Sequence, residues 1–233
     1  MKRAILFIHG IVGHPNQFRL FDPFIPQNVD SYYLLLKGHG GSVDDFAKAT
    51  MKDWQKQVDE KIEELSNRYD AIYLVGHSMG TLFSLQRMNH PRVKGLFLLA
   101  VPLSIGVKFR PFLATARYVC SNPNNPNRAP ADPRIGVKPD PRLWKYIKWL
   151  PNLHSLLKEI RRTRKLIKNQ TPKIPCVIFQ SAKDELVSHK TAKLLEEAGY
   201  CVRWLKHSAH HVYTAEDAEI LKQAFCRWIL GTC

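Results

Sequence analysis

Apolar residues along the chain follow two alternating rhythms. Short unbroken runs of β-formers occur at 3–8, 30–36, 71–75, 95–100, 176–180 and 201–205, as strands buried on both faces require. Between them, apolar positions recur every three or four residues. The clearest case is 50–69, where Trp54, Val58, Ile62 and Leu65 share one face and charges fill the others. Further helices are predicted over 81–88, 188–198 and 215–230, with a short one near 18–24. This alternation predicts an α/β fold: a mostly parallel sheet of about six strands, right-handed crossovers and helices on both faces.

One block departs from the rhythm. Residues 121–141 are rich in Pro and Asn and predict a long loop, flanked by helical patterns over 109–119, 142–150 and 153–168. The block 104–174 falls between the fourth and fifth strands, so it reads as an inserted helical cap on a core made of 1–103 and 175–233.

Charge sharpens that division. The formal charge is +15, and 104–174 carries sixteen Lys and Arg against Asp132, Asp140 and Glu159. Nearly all the basicity therefore belongs to the cap. No nucleic-acid recognition motif accompanies it, so specific nucleic-acid binding is not expected. An anionic membrane surface, an acidic carrier protein or coenzyme A phosphates would suit it, and a solvated face is the plain alternative. The apolar cap residues Phe109, Phe112, Leu113, Tyr118, Trp144, Tyr146, Trp149, Leu150 and Leu153 would line an acyl pocket or pack the cap onto the sheet.

Other classes drop out. No apolar run approaches the ~18–20 residues that span a bilayer, and the start of the chain reads as a first strand rather than a signal peptide. Five cysteines without C-x-x-C spacing argue against a disulfide framework and a zinc site. Cys176 and Cys201 are expected as small core residues in strands, and the compartment as cytoplasmic.

The chemistry concentrates at 71–80, Ala-Ile-Tyr-Leu-Val-Gly-His-Ser-Met-Gly. A buried strand runs into G-x-S-x-G and then a helix, the setting of a nucleophile elbow. Ser78 would project above the sheet, with Gly76 and Gly80 letting strand and helix backbones pass closely. The Met79 N–H would be left free at the helix start. A serine nucleophile needs a base and an acid that orients it. Residues 181–187 follow the fifth strand at the edge where such sheets gather catalytic groups, and offer Asp184, with Glu185 as the fallback. The loop after the last strand offers His207, His210 and His211; no carboxylate or cysteine at ligand spacing makes them a metal site.

These motifs resemble the α/β-hydrolase superfamily, in particular its small bacterial carboxylesterase and monoacylglycerol lipase branch. Leu6-Phe7-Ile8-His9-Gly10 is similar to the oxyanion turn, Gly38-His39-Gly40 to a G-H-G turn, Asp53-Trp54 to a frequent helix start, and 181–187 to the G-x-x-D-x-x-V acid motif. The resemblance implies that the histidine before Val212, His211, is the base, that Asp184 is the acid, and that the backbone N–H groups of Ile11 and Met79 form the oxyanion hole. It implies a serine hydrolase acting on small carboxylic esters, lipid-derived ones among them, through an acyl-enzyme, without cofactor or metal. An acyl-thioesterase with a basic cap, and a non-catalytic binding module on the same fold, are the alternatives.

Overall fold

The computed structural model describes residues 1–106 and 134–231. Six parallel strands form one sheet: β1 (Arg3–Ile8), β2 (Val29–Leu34), β3 (Ala71–His77), β4 (Val93–Leu99), β5 (Cys176–Ser181) and β6 (Val202–Leu205). Their order is β2-β1-β3-β4-β5-β6, so the chain starts near one edge, winds outward and then reverses across β1. The α/β expectation holds. One apolar cluster, including Leu6, Trp54, Leu74 and Leu96, fills one face of the sheet. A second, built on Phe7, Phe97, Phe179, Phe225 and Trp228, fills the other.

The α-helices among the described residues are α1 (Val43–Lys48), α2 (Met51–Ser66), α3 (Met79–Gln86), α4 (Leu150–Asn169), α5 (Lys190–Glu197) and α6 (Ala215–Leu230). Helix α2 buries the expected stripe of Trp54, Val58, Ile62 and Leu65. It starts one residue later than the pattern suggests because Thr50 is its N-cap, in a reciprocal capping box with Asp53. Helix α1 has a similar box between Ser42 and Asp45; its six residues are too few for periodicity to reveal. The region predicted as a short helix near 18–24 is a 3₁₀ segment, Pro15–Phe24. Strand β2 ends two residues early, because the Leu36 N–H leaves the sheet to donate to His9 Nε2 at 3.1 Å.

Of the inserted block, the predicted helix 109–119 and most of the loop 121–141 lie outside the described residues. A 3₁₀ segment, Leu143–Trp149, runs directly into α4. Helix α4 buries Asn152, Leu156, Ile160, Thr163 and Ile167 and packs chiefly on α3. Trp149 Nε1 donates to the Val43 carbonyl at 3.0 Å, and Lys145 and Lys148 pair with Asp44 at 2.8 and 2.7 Å. Trp144, Leu150 and Leu153 are exposed. Cys201 is exposed just before β6 rather than part of the core. No helix among the described residues is long and apolar enough to cross a membrane.

Candidate active site

Strand β3 and helix α3 are joined by one residue. Ser78 has φ 51° and ψ −121°, a conformation that L-residues adopt only when the surroundings enforce it. They do: the Ser78 N–H donates to the Leu99 carbonyl at 2.9 Å, and the Ser78 carbonyl accepts from Thr81 N at 2.9 Å and Thr81 Oγ1 at 2.6 Å. The two motif glycines are steric requirements. A Cβ on Gly80 would lie 2.0 Å from the Ile8 carbonyl oxygen, and one on Gly76 would lie 2.8 Å from Thr81 N. Ser78 makes no side-chain cap bond to α3, so its hydroxyl is not spent on the helix. The chain after β1 passes right over it, since a Cβ on Gly10 would lie 2.8 Å from Ser78 Cβ.

Asp184 follows β5 and is 1% exposed. Its Oδ1 accepts the Leu186 and Val187 N–H groups at 2.8 Å each; its Oδ2 faces His210 Nδ1 at 2.7 Å. Burial works to raise its carboxyl, but the His210 hydrogen bond and charge and the two amides outweigh it and hold the group below its ordinary range. In the tautomer that donates Nδ1–H to this carboxylate, the Nε2 of His210 is free to accept a proton.

The ring that meets Asp184 is that of His210, not that of His211, the base expected from the Val212 register. The cause is local. The Ala209 N–H donates to the Val212 carbonyl at 3.0 Å, closing a turn across the two histidines. The two rings then stand almost perpendicular, 4.6 Å apart. His211 packs on His77 at 4.7 Å, and its Nδ1 is closed off without a partner among the described residues. Burial first, then the neighbouring His210 and His77, pushes His211 well below its ordinary range, so it is neutral near pH 7.

Four further groups hold the base loop. His77 Nε2–H donates to the His210 carbonyl at 2.9 Å, tying the loop to the residue before Ser78. Glu185, passed over in favour of Asp184, accepts the His210 N–H at 3.1 Å. Asp217, 1% exposed, accepts from His207 N at 2.8 Å and Ser208 Oγ at 2.7 Å. Arg134 Nη1 donates to the His211 carbonyl at 2.6 Å. Arg134 can reach because Gly13 and Ile135 form an antiparallel bridge beside the turn after β1. Sequence reasoning named none of these as loop supports. Only Asp217 carries a local signal, Thr214-x-x-Asp217 at the start of α6; the others depend on long-range contacts.

Met79 is the first residue of α3, where backbone N–H groups lack intrahelical acceptors. Ile11 follows Gly10 on the turn over Ser78. Asp184 and His210 come together at the carboxyl edge of the sheet, on the side of the elbow. Among the described residues no group of three or more His, Cys, Asp or Glu is arranged to hold a metal ion.

Residues 1–216 match the model of the family described as serine aminopeptidase, S33. A thermostable monoacylglycerol lipase of Bacillus sp. (strain H-257) is 31% identical over 106 residues, spanning 45% of this chain but 41% of that protein. A carboxylesterase of Bacillus subtilis (strain 168) is 21% identical over 231 residues, covering 95% of this chain and 89% of that protein. Among solved structures, one from work on the metagenome-derived lipolytic enzymes LipS and LipT superposes with a TM-score of 0.70 at 22% identity. It covers 97% of this chain and 94% of that one, a likeness of fold.

Proposed function

The chain belongs to the serine aminopeptidase S33 family of α/β-hydrolases, and we propose that it cleaves carboxylic esters through an acyl-enzyme on Ser78. The observation that carries this reading is the buried Asp184–His210 pair at 2.7 Å, at the same sheet edge as a serine held at φ 51°. Ser78 Oγ attacks the ester carbonyl while His210 Nε2 takes its proton. Asp184 keeps the imidazole in the Nδ1–H tautomer and stabilises its cationic form. The Ile11 and Met79 N–H groups receive the oxyanion. The imidazolium then protonates the departing alcohol, and a water activated by the same ring releases the acid.

The ester substrate is supported by the printed names of the two Bacillus relatives, a monoacylglycerol lipase and a carboxylesterase. The test is a panel of p-nitrophenyl esters, monoacylglycerols, acyl-thioesters and aminoacyl amides with the purified protein, beside labelling by a fluorophosphonate. The expected result is ester turnover and labelling at Ser78. Both are lost in Ser78→Ala, by on the order of 10³-fold or more in turnover. Turnover confined to amides or thioesters would reassign the substrate; labelling elsewhere would remove the mechanism.

A further inference from the structure

Six large apolar side chains near the start of α4 stand in solvent: Leu143, Trp144, Ile147, Leu150, Leu153 and Leu157, between 42% and 65% exposed. Their spacing of three and four residues sets most of them in one line along the 3₁₀ segment and the first turns of the helix. This is not the packing face, which is made by Asn152, Leu156, Ile160, Thr163 and Ile167. Further along, the same outward side turns basic, with Arg161, Lys165 and Lys168 exposed, and Lys148 and Lys158 flank the apolar part. A monomer in water rarely keeps such a contiguous apolar surface without use for it.

The combination selects the occupant. A second copy of this chain would have to bring like charges together on both sides of the stripe, and a purely apolar partner would leave the cations unanswered. Aromatic and aliphatic side chains beside Lys and Arg on one helix suit the boundary between acyl chains and anionic headgroups. The stripe also lies on the active-site side of the molecule. Lys145 and Lys148 grip Asp44 in α1, which follows the carboxyl end of β2, and α4 packs on α3, whose first turn carries the elbow. Arg164 plays no part in it, because its guanidinium turns inward to the Leu103 carbonyl.

We propose that this stripe seats the protein on an anionic phospholipid surface. The corollary, that esters reaching Ser78 are drawn from that surface, rests on the hydrolase reading above. The test is sedimentation with vesicles of phosphatidylcholine alone or mixed with phosphatidylglycerol, run beside hydrolysis of a short water-soluble ester. Wild type should bind the phosphatidylglycerol vesicles at low salt and lose binding as screening shortens the Debye length to roughly 8 Å. Leu143→Ser/Ile147→Ser/Leu157→Ser should bind at least about tenfold more weakly, with unchanged melting and unchanged turnover of the soluble ester. Arg161→Gln/Lys165→Gln/Lys168→Gln should lose the preference for phosphatidylglycerol. A wild type that hydrolyses the ester but ignores these vesicles at low salt overturns the docking alone. One that binds vesicles yet hydrolyses nothing overturns the hydrolase reading alone. Equal binding by the Ser variant, or a wild-type dimer that the Ser variant dissolves in light scattering, also overturns the docking.

Discussion

Acidification should destabilise this protein well before its carboxylates titrate, because buried neutral histidines surround the site. His9, His39 and His77 are 0%, 6% and 2% exposed. Burial is the first cause in each case: it pushes His9 well below its ordinary range, with His39 nearby adding to the effect, lowers His39 to about 4 and lowers His77 to about 3. A folded value below the unfolded one means that the unfolded chain binds the extra protons. The stabilisation is therefore complete above the unfolded value near 6.5 and is lost as pH falls toward the folded values. Between pH 7.5 and 5.5 an unfolded histidine gains about 1.4 kcal/mol from protonation, while these three stay neutral in the fold. Three together remove roughly 4 kcal/mol, a large part of the 5–15 kcal/mol typical of a domain. His211, likewise pushed well below its ordinary range, adds in the same direction, so the melting temperature should drop by at least about 8–16 °C over that range, and denaturant titrations should show a slope of roughly three protons or more near pH 5.5. His39→Phe is the control. The new ring fits beside Phe46 and Trp54, which already pack on His39 at 5.1 and 5.4 Å, and the slope should fall by one proton whatever the change in stability at pH 7.5. A wild-type slope below one proton, or a slope untouched by His39→Phe, would refute the reasoning.

At the site, His210→Ala should abolish ester turnover while His211→Asn costs less than about tenfold, since only the His210 ring meets Asp184; steady-state kinetics on the two variants side by side decide it. Asp184→Asn should fold but lose about 10²–10⁴ in kcat, because Asn favours the wrong imidazole tautomer. Glu185→Ala removes the acceptor of the His210 N–H and should lower kcat about tenfold with little change in KM. Glu185→Gln, which keeps an acceptor, should retain most activity; equal losses in both would mean that the charge, not the hydrogen bond, matters.

How far the sequence could be read depends on how local each cause is. The strand–elbow–helix at Ser78 and the turn holding Asp184 are specified largely within ten residues, because Gly76 is required by Thr81 and Asp184 accepts from the amides of Leu186 and Val187, although Gly80 is required by Ile8 on β1. The same is true of α2, whose cap and stripe lie in one stretch. The choice between His210 and His211 is of a different kind. Each ring has a plausible register when only the loop is considered. The loop is set from outside it, by Glu185 in the turn after β5, His77 at the end of β3 and Arg134 from the insertion. Those groups are 25, 133 and 77 residues away from the atoms they hold, and no pattern around Val212 reports them. A motif counted back from Val212 assumes a loop of fixed length, and the turn that closes from Ala209 to Val212 absorbs one extra histidine between the base and the valine. The discrepancy thus follows from where the constraint resides: residue type and sheet edge are local properties, whereas which of two adjacent rings turns toward the carboxylate is decided by the tertiary contacts of the loop backbone.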